Sequence, residues 1–544
     1  MKPIIKDLSD AFAAAGVPVP TMLCNCSDRQ AEYDKARQIF NTRFQLLPLV
    51  IVYCETSAQV SVVVKFIKKE ALPLRVRSGG YGHDHEGECS GTDTVMIDLS
   101  KMDHVSVEEG QARIGPGIAF EELTTKLADR DVMIPHGTCA TVHIAGYTLG
   151  GGWGPWTRLH GMCCEHLVEA TVVLGDGSVH TERDVPGKKG LLWALKGGGG
   201  FSYGIVTELV IKTFPLPWEM IKFQIEWNPY VANASTGLFN VTPNTPTLKV
   251  LTAWEKTIGS GKGSIGLVGT NLKVSAIPRD PRKPFDYKTV HNNCVMYGYW
   301  EGDQAGLDAF IRTHFGPTGG ARQPVVTILG VAGRKHKEKK YGQNLMSNWD
   351  RMSLHNVKRL LKGLEGKPFP PDMDDPAPHK ITSRFANAGG LGAGGHAKLL
   401  ESLSSPLLFP RNYGLGLFTY ITLGAITGHY YRDVITPEER TSSAFPYKDR
   451  LYTIQYQTWW NEKTPQKGEG ENNYVYDYVN RALDWMEVCR DYDIPNTSGS
   501  FISFKDASVP TGTYFDTSYE DLVRVKETAS ADPYNHFHTR KTII

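Results

Sequence analysis

The sequence lacks an excess of charge of either sign and any long apolar run. Its 544 residues include 59 lysines and arginines against 58 acidic residues, for a formal net charge of +1. That balance gives no support to a nucleic acid or an anionic membrane surface as a partner. No run reaches the roughly 18 apolar residues that a membrane span needs, and the first 20 residues have no signal-peptide core. We therefore expect a cytoplasmic protein without a membrane partner.

Cysteine is also scarce. The nine cysteines are an odd number with irregular spacing, which argues against a disulfide framework. Cys24 and Cys26 are two residues apart, but no second pair or histidine cluster completes a zinc pattern. We therefore expect neither structural disulfides nor a metal site.

The hydrophobic pattern predicts two main domains in a chain too long for one core. Short strand patterns and helices alternate first; the spacing of Val60, Val63, Val64 and Ile67, for example, is helical. Beyond Pro217 the strand-like runs become longer, which favours a large antiparallel sheet backed by helices. The predicted class is α+β, with an N-terminal extension (1–44), a first domain (45–216), a second domain (217–495) and a C-terminal segment (496–544) that returns to the first domain.

Three glycine clusters stand out in the first domain: RSGGYGHDHEG (77–87), GYTLGGGWG (146–154) and GGGG (197–200). Glycine lets backbone N–H groups approach an anion without interference from Cβ, and Arg77 adds positive charge. The spacing is not that of the Rossmann fingerprint. Each cluster alone could simply form turns, but three of them with an arginine favour a dinucleotide or phosphate ligand.

Cys139 lies between His136 and His143 in PHGTCATVH (135–143). A cysteine near histidines can have a lowered pKa, so a cysteine-nucleophile hydrolase is a competing hypothesis. The plainer interpretation is a buried, inert cysteine. His83, alone in its loop, could likewise be an ordinary hydrogen-bonded histidine.

Taken together and in order, RSGGYGHDHEG (77–87), PHGTCATVHIAGYTLGGGWG (135–154), LWALKGGGGFSYGIVT (192–207) and YFDTSY (514–519) resemble a known family. It is the berberine-bridge-enzyme-like group of FAD-linked oxidases, which have a PCMH-type FAD-binding domain in two parts and a substrate domain. The resemblance runs from about residue 40 to the end. It implies an oxidase that moves hydride from an alcohol, sugar or secondary metabolite to FAD and releases hydrogen peroxide after reaction with O₂. An oxidative cyclase or dehydrogenase, and a flavin-fold binding protein without activity, are the alternatives.

The resemblance also implies covalent FAD. In members with both motifs, the histidine after the paired glycines is joined to the flavin 8α-methyl and the cysteine of the GTC motif to C6. These positions map to His83, with Tyr81 and Gly82 as an insertion, and to Cys139; His85 is the runner-up, and no histidyl link is the third possibility. The other residues expected at FAD are Arg77, Ser78, Gly79, Gly80, Tyr81, Gly82, Val142, Gly146, Gly150, Gly151, Gly152, Trp153, Gly204, Ile205, Val206 and Tyr519.

A base must take the substrate proton. Where the family's sugar oxidases carry a tyrosine, this chain has Phe504 in FISFKD, and phenylalanine cannot act as a base. The remaining candidates are Tyr456, which shares a strand face with Tyr452 and Ile454, then His429 and Tyr420. Each could instead be a packing or strand-end residue. A small-molecule substrate and O₂ are the expected partners, and the sequence leaves the oligomeric state open.

Overall fold

The structure is a computed structural model that describes residues 3–25, 27–82, 92–185, 187–227, 247–261, 264–278, 290–316, 324–337, 341–346, 376–403, 418–460, 486, 490, 493–533 and 535–544. The strands are β1 Thr21–Cys24, β2 Val50–Tyr53, β3 Leu74–Arg77, β4 Val95–Asp98, β5 Val105–Glu108, β6 Gln111–Ile114, β7 Val132–Met133, β8 Leu167–Val173, β9 Val179–Arg183, β10 Ile205–Lys212, β11 Phe214–Pro215, β12 Met220–Trp227, β13 Leu267–Pro278, β14 Val290–Glu301, β15 Val325–Ala332, β16 His379–Ala386, β17 Phe418–Ala425, β18 Tyr452–Trp459 and β19 Thr497–Ser498.

The helices follow the same chain order. They are α1 Pro3–Ala14, α2 Gln30–Ala36, α3 Ser57–Glu70, α4 Phe120–Ala128, α5 Ile144–Leu149, α6 Thr157–His160, α7 Leu191–Leu195, α8 Thr247–Gly259, α9 Gln304–His314, α10 Tyr341–Leu345, α11 Gly392–Ser402, α12 Pro437–Thr441, α13 Gly512–Phe515 and α14 Tyr519–Ala529.

The first domain contains a four-stranded and a five-stranded sheet, besides the short pair β7 and β11, and the two larger sheets agree with the expected two-part architecture. The first has the order β1-β2-β4-β3, in which β2 and β3 run parallel to β4. The second is antiparallel, with the order β5-β6-β10-β8-β9. Helix α3 packs on the first sheet through Val60, Val63, Val64 and Ile67, all at most 2% exposed, as their helical spacing predicts.

The second domain is an eight-stranded antiparallel sheet with the order β15-β12-β14-β13-β17-β18-β16-β19. This confirms the predicted large antiparallel sheet. Helices α8, α9 and α11 cover one face, where Trp254, Phe310 and Leu399 pack against strand residues such as Ile454. The other face therefore looks toward the first domain, and strand alternation decides which side chains lie on it.

Both terminal segments pack on the first domain. Leu8 and Phe12 of α1 join the core under β2 and β4. Near the other end, Leu522 and Val525 of α14 join the core of the five-stranded sheet. The Lys526 ammonium group donates hydrogen bonds to the carbonyl oxygens of Ser202 and Phe537, each at 2.7 Å. The domain boundaries themselves stay predictions.

Two sequence expectations concern cysteine and the membrane. Cys24 is disulfide-bonded, so the expectation of a chain without structural disulfides is wrong; spacing along the chain does not reveal which cysteines the fold brings together. Among the described helices, none is long and apolar enough to cross a membrane.

Candidate functional site

A cavity of about 400 Å³ lies between the two domains. Glycine loops of the first domain form one wall, the polar face of the eight-stranded sheet forms the opposite wall, and residues 501–505 close one side. A cleft of this size with apolar walls and a few converging polar groups is typical of a small-molecule site.

The glycine loops meet at this wall although they are far apart in the chain. The residues involved are Gly79, Gly80, Gly82, Gly146, Gly150, Gly199, Gly200 and Gly204, here called the glycine wall. A Cβ on Gly79 would lie 2.4 Å from the His143 ring, so the chain passes too close to this ring for any side chain. A Cβ on Gly146 would meet no protein atom within 4 Å and would project into space next to the cavity. The wall thus leaves backbone groups open to a ligand.

The two arginines of β3 differ in their partners. Arg77, the cation expected to hold an anion, forms a two-point ion pair with the buried carboxylate of Asp98, its Nε lying 2.7 Å from Oδ2. Its charge is therefore compensated within the protein. Arg75 also lines the cavity, donates to the carbonyl oxygen of Leu74 at 2.6 Å and has no carboxylate partner within the described residues. Arg75, which sequence reasoning missed, therefore supplies a positive charge that no carboxylate of the described residues pairs with.

Cys139 is half-buried on the cavity wall, with its Sγ 3.7 Å from the hydroxyl of Thr138. The nearby His136 does not serve it, because both imidazole nitrogens are engaged elsewhere: Nδ1 lies 2.7 Å from the carbonyl oxygen of Gly137, and Nε2 accepts from Trp156 at 3.0 Å. Burial lowers the pKa of His136 to about 4, so the ring is neutral near pH 7. This arrangement removes His136 as the activating base of a cysteine hydrolase.

His143 lies on the same wall as Cys139 and faces the cavity. Its Nδ1 is buried and has no hydrogen-bond partner among the described residues. Burial lowers the pKa of His143; the negative charge of Asp98 acts to raise this pKa, and the positive charge of Arg77 lowers it further. The site therefore contains a neutral imidazole with an open position for a ligand.

The opposite wall is a hydrogen-bonded network on β17 and β18. Gln457 Oε1 accepts hydrogen bonds from the Tyr420 hydroxyl at 2.9 Å and the Trp459 indole N–H at 3.0 Å. The Gln457 amide donates to the hydroxyl of Thr422 at 3.2 Å. Because both Gln457 polar atoms are held, the amide has a fixed orientation at the cavity. The wall-lining residues of the sheet are Asn271, Ile381, Thr422, Gln455, Gln457 and Trp459.

The predicted catalytic residues do not all reach this wall. Tyr456 shares its strand face with Ile454, as expected, but that face packs into the helix-backed core, while Gln455 and Gln457 face the cavity. Strand alternation thus turns Tyr456 away from the site. His429 lies outside the cavity, 3.1 Å from a carboxylate oxygen of Asp433. The structure brings neither of them to the site.

Tyr420 lies on the cavity face, one hydrogen bond behind Gln457. The Lys273 ammonium lies 3.6 Å from the centroid of its ring, and both residues are buried. A cation over an aromatic face is a favourable electrostatic contact, and it holds the Tyr420 ring in place.

Most residues expected at a cofactor line the cavity. They are Arg77, Ser78, Gly79, Gly80, Tyr81, Gly82, Cys139, Val142, Gly146, Gly150, Trp153, Gly204, Ile205 and Val206. Gly151, Gly152 and Tyr519 do not; the carbonyl oxygens of the two glycines accept from the N–H groups of Cys164 and Cys163 instead. His83 and His85 lie outside the described residues.

Residues 501–505 close the cavity as a turn. Ile502–Phe504 form a 3-10 turn, so Phe504 and Lys505 both line the cavity. Phe501, Ile502 and Phe504 supply apolar surface on this side, and Ser503 and Lys505 supply polar groups.

The sequence was compared with known families and proteins. The family described as FAD binding domain matches residues 48–182. A carbohydrate oxidase from Microdochium nivale is 32% identical over 221 residues, which are 40% of this chain and 43% of that relative. The matches to the first three relatives span less than half of each relative, 36% to 44% of its length. Berberine bridge enzyme-like 21 from Arabidopsis thaliana is 24% identical over 93% of this chain and 84% of its own.

Solved structures share the whole fold. Glucooligosaccharide oxidase from Acremonium strictum, described with a 6-S-cysteinyl, 8α-N1-histidyl FAD, superposes with a TM-score of 0.70. It is 18% identical, and the match covers 99% of both chains. At this identity the likeness shows a common fold.

Proposed function

We propose that this chain is a member of the berberine-bridge-enzyme-like group of FAD-linked proteins and an FAD-dependent oxidase of an alcohol, a sugar or a secondary metabolite. The observation that carries the proposal is the cavity itself, in which a glycine wall and Cys139 face a fixed polar network on the substrate-domain sheet. Such a cavity can hold a flat cofactor against one wall and a small substrate against the other.

The residues present fit FAD. The glycine wall offers backbone groups and space that a Cβ would fill, as at Gly146. Arg75 lines the cavity without a carboxylate partner among the described residues and offers positive charge for a pyrophosphate. The buried Nδ1 of His143 also lacks a partner in the described chain. In this proposal, residues 78–82, 140–154 and 204–206 hold the pyrophosphate, adenine and ring edges.

Covalent attachment is part of the proposal. Cys139 is half-buried on the cavity wall and is proposed to hold the flavin C6 edge. His83 is proposed to hold the 8α-methyl from the loop that follows Gly82. The doubly linked FAD of the Acremonium strictum enzyme supports this pairing. Two links would keep the ring system fixed in an open cleft.

Bound FAD supplies hydride acceptance from a C–H group next to oxygen or nitrogen, followed by reoxidation by O₂ to give hydrogen peroxide. The protein's part is to orient the substrate and manage its proton. Gln457 presents a fixed amide to the cavity, and Tyr420 holds that amide through its hydroxyl. The Lys273 ammonium, 3.6 Å from the centroid of the Tyr420 ring, holds that ring behind the amide. Of the three predicted candidates, this proposal therefore retains Tyr420, as the residue that positions the Gln457 amide.

Purified protein tests the function directly. We expect a yellow protein whose flavin stays attached after acid precipitation, and peroxide release on addition of an oxidisable alcohol. Flavin reduction without peroxide release would indicate a dehydrogenase that uses another acceptor. A colourless protein with no mass adduct would reject the proposal and favour a binding protein of the same fold.

The proposal extends to the compartment in which the protein resides, which we propose to be an oxidising one. Cytoplasmic location was expected from the sequence, but the disulfide at Cys24 counts against it, because structural disulfides persist mainly in oxidising compartments. Thiol labelling distinguishes a cytoplasmic from an oxidising compartment. Protein from its native source is labelled before and after reduction, and peptide mass analysis shows whether Cys24 is oxidised.

A further inference from the structure

Asn271 lies on β13 at the centre of the cavity-facing sheet. Its side chain lines the cavity and is only 3% exposed. Its Oδ1 is buried and has no hydrogen-bond partner among the described residues. An amide in such a place normally finds partners, because a buried polar atom without one loses the hydrogen bonds that it would make to water.

The surroundings of Asn271 place it where the two walls meet. Its neighbour across the ladder is Gly424 on β17. The space that a Gly424 side chain would take is next to the indole of Trp153, 3.0 Å from an ideal Cβ. Trp153 belongs to the first domain and is fixed by a 2.7 Å hydrogen bond from its indole N–H to the carbonyl oxygen of Ala425. Asn271 is thus beside the junction between the expected cofactor wall and the substrate sheet.

A second buried amide provides a comparison on the same sheet face. Gln224 on β12 is 2% exposed, and its Oε1 also lacks a partner within the described chain. Gln224 pairs with Tyr297, which pairs in turn with Asn271, so the two amides lie two strands apart in one row. Gln224 does not line the cavity. The two residues share chemistry and burial and differ in access to a ligand.

We propose that the Asn271 side-chain amide is a specificity-determining hydrogen-bond partner of the substrate, with its oxygen accepting from a substrate hydroxyl or N–H group. The inference rests on the proposed oxidase function. The cost of leaving this oxygen without a partner in the free protein is recovered when a hydrogen-bond donor binds. A site built in this way discriminates strongly against analogues that lack the donor.

The test uses the flavin-loaded full-length protein and its Asn271→Ala, Asn271→Leu and Gln224→Ala variants. The probes are glucose, cellobiose, benzyl alcohol and cinnamyl alcohol. For each probe, two quantities are measured: the anaerobic reduction of flavin and the shift in the melting temperature. We expect both Asn271 variants to raise the half-saturating concentration of the best probe at least about tenfold. Gln224→Ala should change it less than about twofold, and flavin content and the melting temperature without probe should be equal to or above wild type in all variants.

Several outcomes would overturn the inference. One is an unchanged half-saturating concentration in the Asn271 variants; another is an equal loss in Gln224→Ala, which would indicate a general disturbance of the sheet. A lower melting temperature in both Asn271 variants, but not in Gln224→Ala, would give Asn271 a structural role. If no probe reduces flavin in wild-type protein, the oxidase proposal fails separately. The thermal shifts then decide: a shift lost only in the Asn271 variants supports the inference, and any other pattern, including no shift at all, rejects it.

Discussion

The ring of Phe40 stacks on the ring of Tyr81, with centroids 3.7 Å apart and planes inclined by 17°. The Phe40 N–H donates to the carbonyl oxygen of Gly80 at 2.9 Å, and the Phe40 carbonyl oxygen accepts from the N–H of Ala377 at 3.0 Å. Phe40 therefore links the first glycine loop to the second domain at the edge of the cavity.

Loss of the Phe40 ring should loosen this link. Removing a buried phenylalanine typically costs about 3–5 kcal/mol, so Phe40→Ala should lower the melting temperature of the flavin-loaded protein by several degrees. Tyr81→Ala should have a smaller effect in the same direction, and Tyr81→Phe, which keeps the stacked ring, should stay near wild type. Differential scanning calorimetry measures all three. A Phe40→Ala protein as stable as wild type would show that the stack contributes little.

Covalent flavin should depend on both proposed attachment residues. We expect Cys139→Ala to keep flavin through His83, and His83→Ala to keep it through Cys139. Only the double variant should release FAD on denaturation. Intact mass under denaturing conditions and peptide mapping measure this. Flavin still attached in the double variant would point to another residue, with His85 tested next.

The positions of Tyr420 and Tyr456 predict different effects for the same chemical change. Tyr420→Phe removes the hydroxyl that holds Gln457, so the limiting rate of flavin reduction should fall at least about tenfold. Tyr456→Phe removes a hydroxyl on the helix-covered face and should change that rate less than about twofold. Stopped-flow reduction under anaerobic conditions measures both. The reverse order would return the catalytic role to Tyr456.

Buried histidines should make the protein sensitive to acid. Burial lowers the pKa of His136 and of His166 to about 4, below the roughly 6.5 of an unfolded chain. Between these values the unfolded state binds protons that the folded state does not, so stability falls as the pH drops from about 6.5 toward 4.

His166 offers a way to isolate this effect. Its Nε2 lies 2.5 Å from the carbonyl oxygen of His160, and His166→Gln keeps an N–H donor there while removing the titration. We expect variant and wild type to have similar urea denaturation midpoints at pH 7.5. Between pH 6.5 and pH 5, the free energy of unfolding of the variant should fall less steeply than that of wild type, by about 1 kcal/mol per pH unit. Parallel pH dependence of variant and wild type would contradict a neutral buried His166.

The helices, the strands and the two-domain organisation could be predicted because each is encoded by a hydrophobic pattern within a short segment of the chain. Helical spacing in α3 and long strand runs beyond Pro217 correspond to the helix and the eight-stranded sheet observed. The glycine clusters, distant in sequence, do meet at one cavity. These features depend on periodicity and backbone freedom, which are properties of short segments.

The site's details depend on contacts that no local pattern contains. Arg75 and Arg77 have the same character in sequence, and only the distant Asp98 distinguishes them. Strand alternation puts Tyr456 on one face of β18 and both Gln455 and Gln457 on the other. Because every residue of β18 is buried, the sequence does not show which of these two faces lines the cavity. The pair of buried glutamines was a usable signal, because a buried polar side chain on one strand face needs partners that a helix-covered core does not supply.

The link at residues 40 and 41 has a consequence for how molecules reach the interior. Beside the contacts of Phe40, Asn41 forms two hydrogen bonds with the backbone of His379, at 3.0 and 3.1 Å. A hinge motion that swung the domains apart at this edge would have to break all of these bonds together. These bonds therefore oppose separation of the two domains at this edge of the cavity, and any opening that admits a substrate is expected to occur elsewhere.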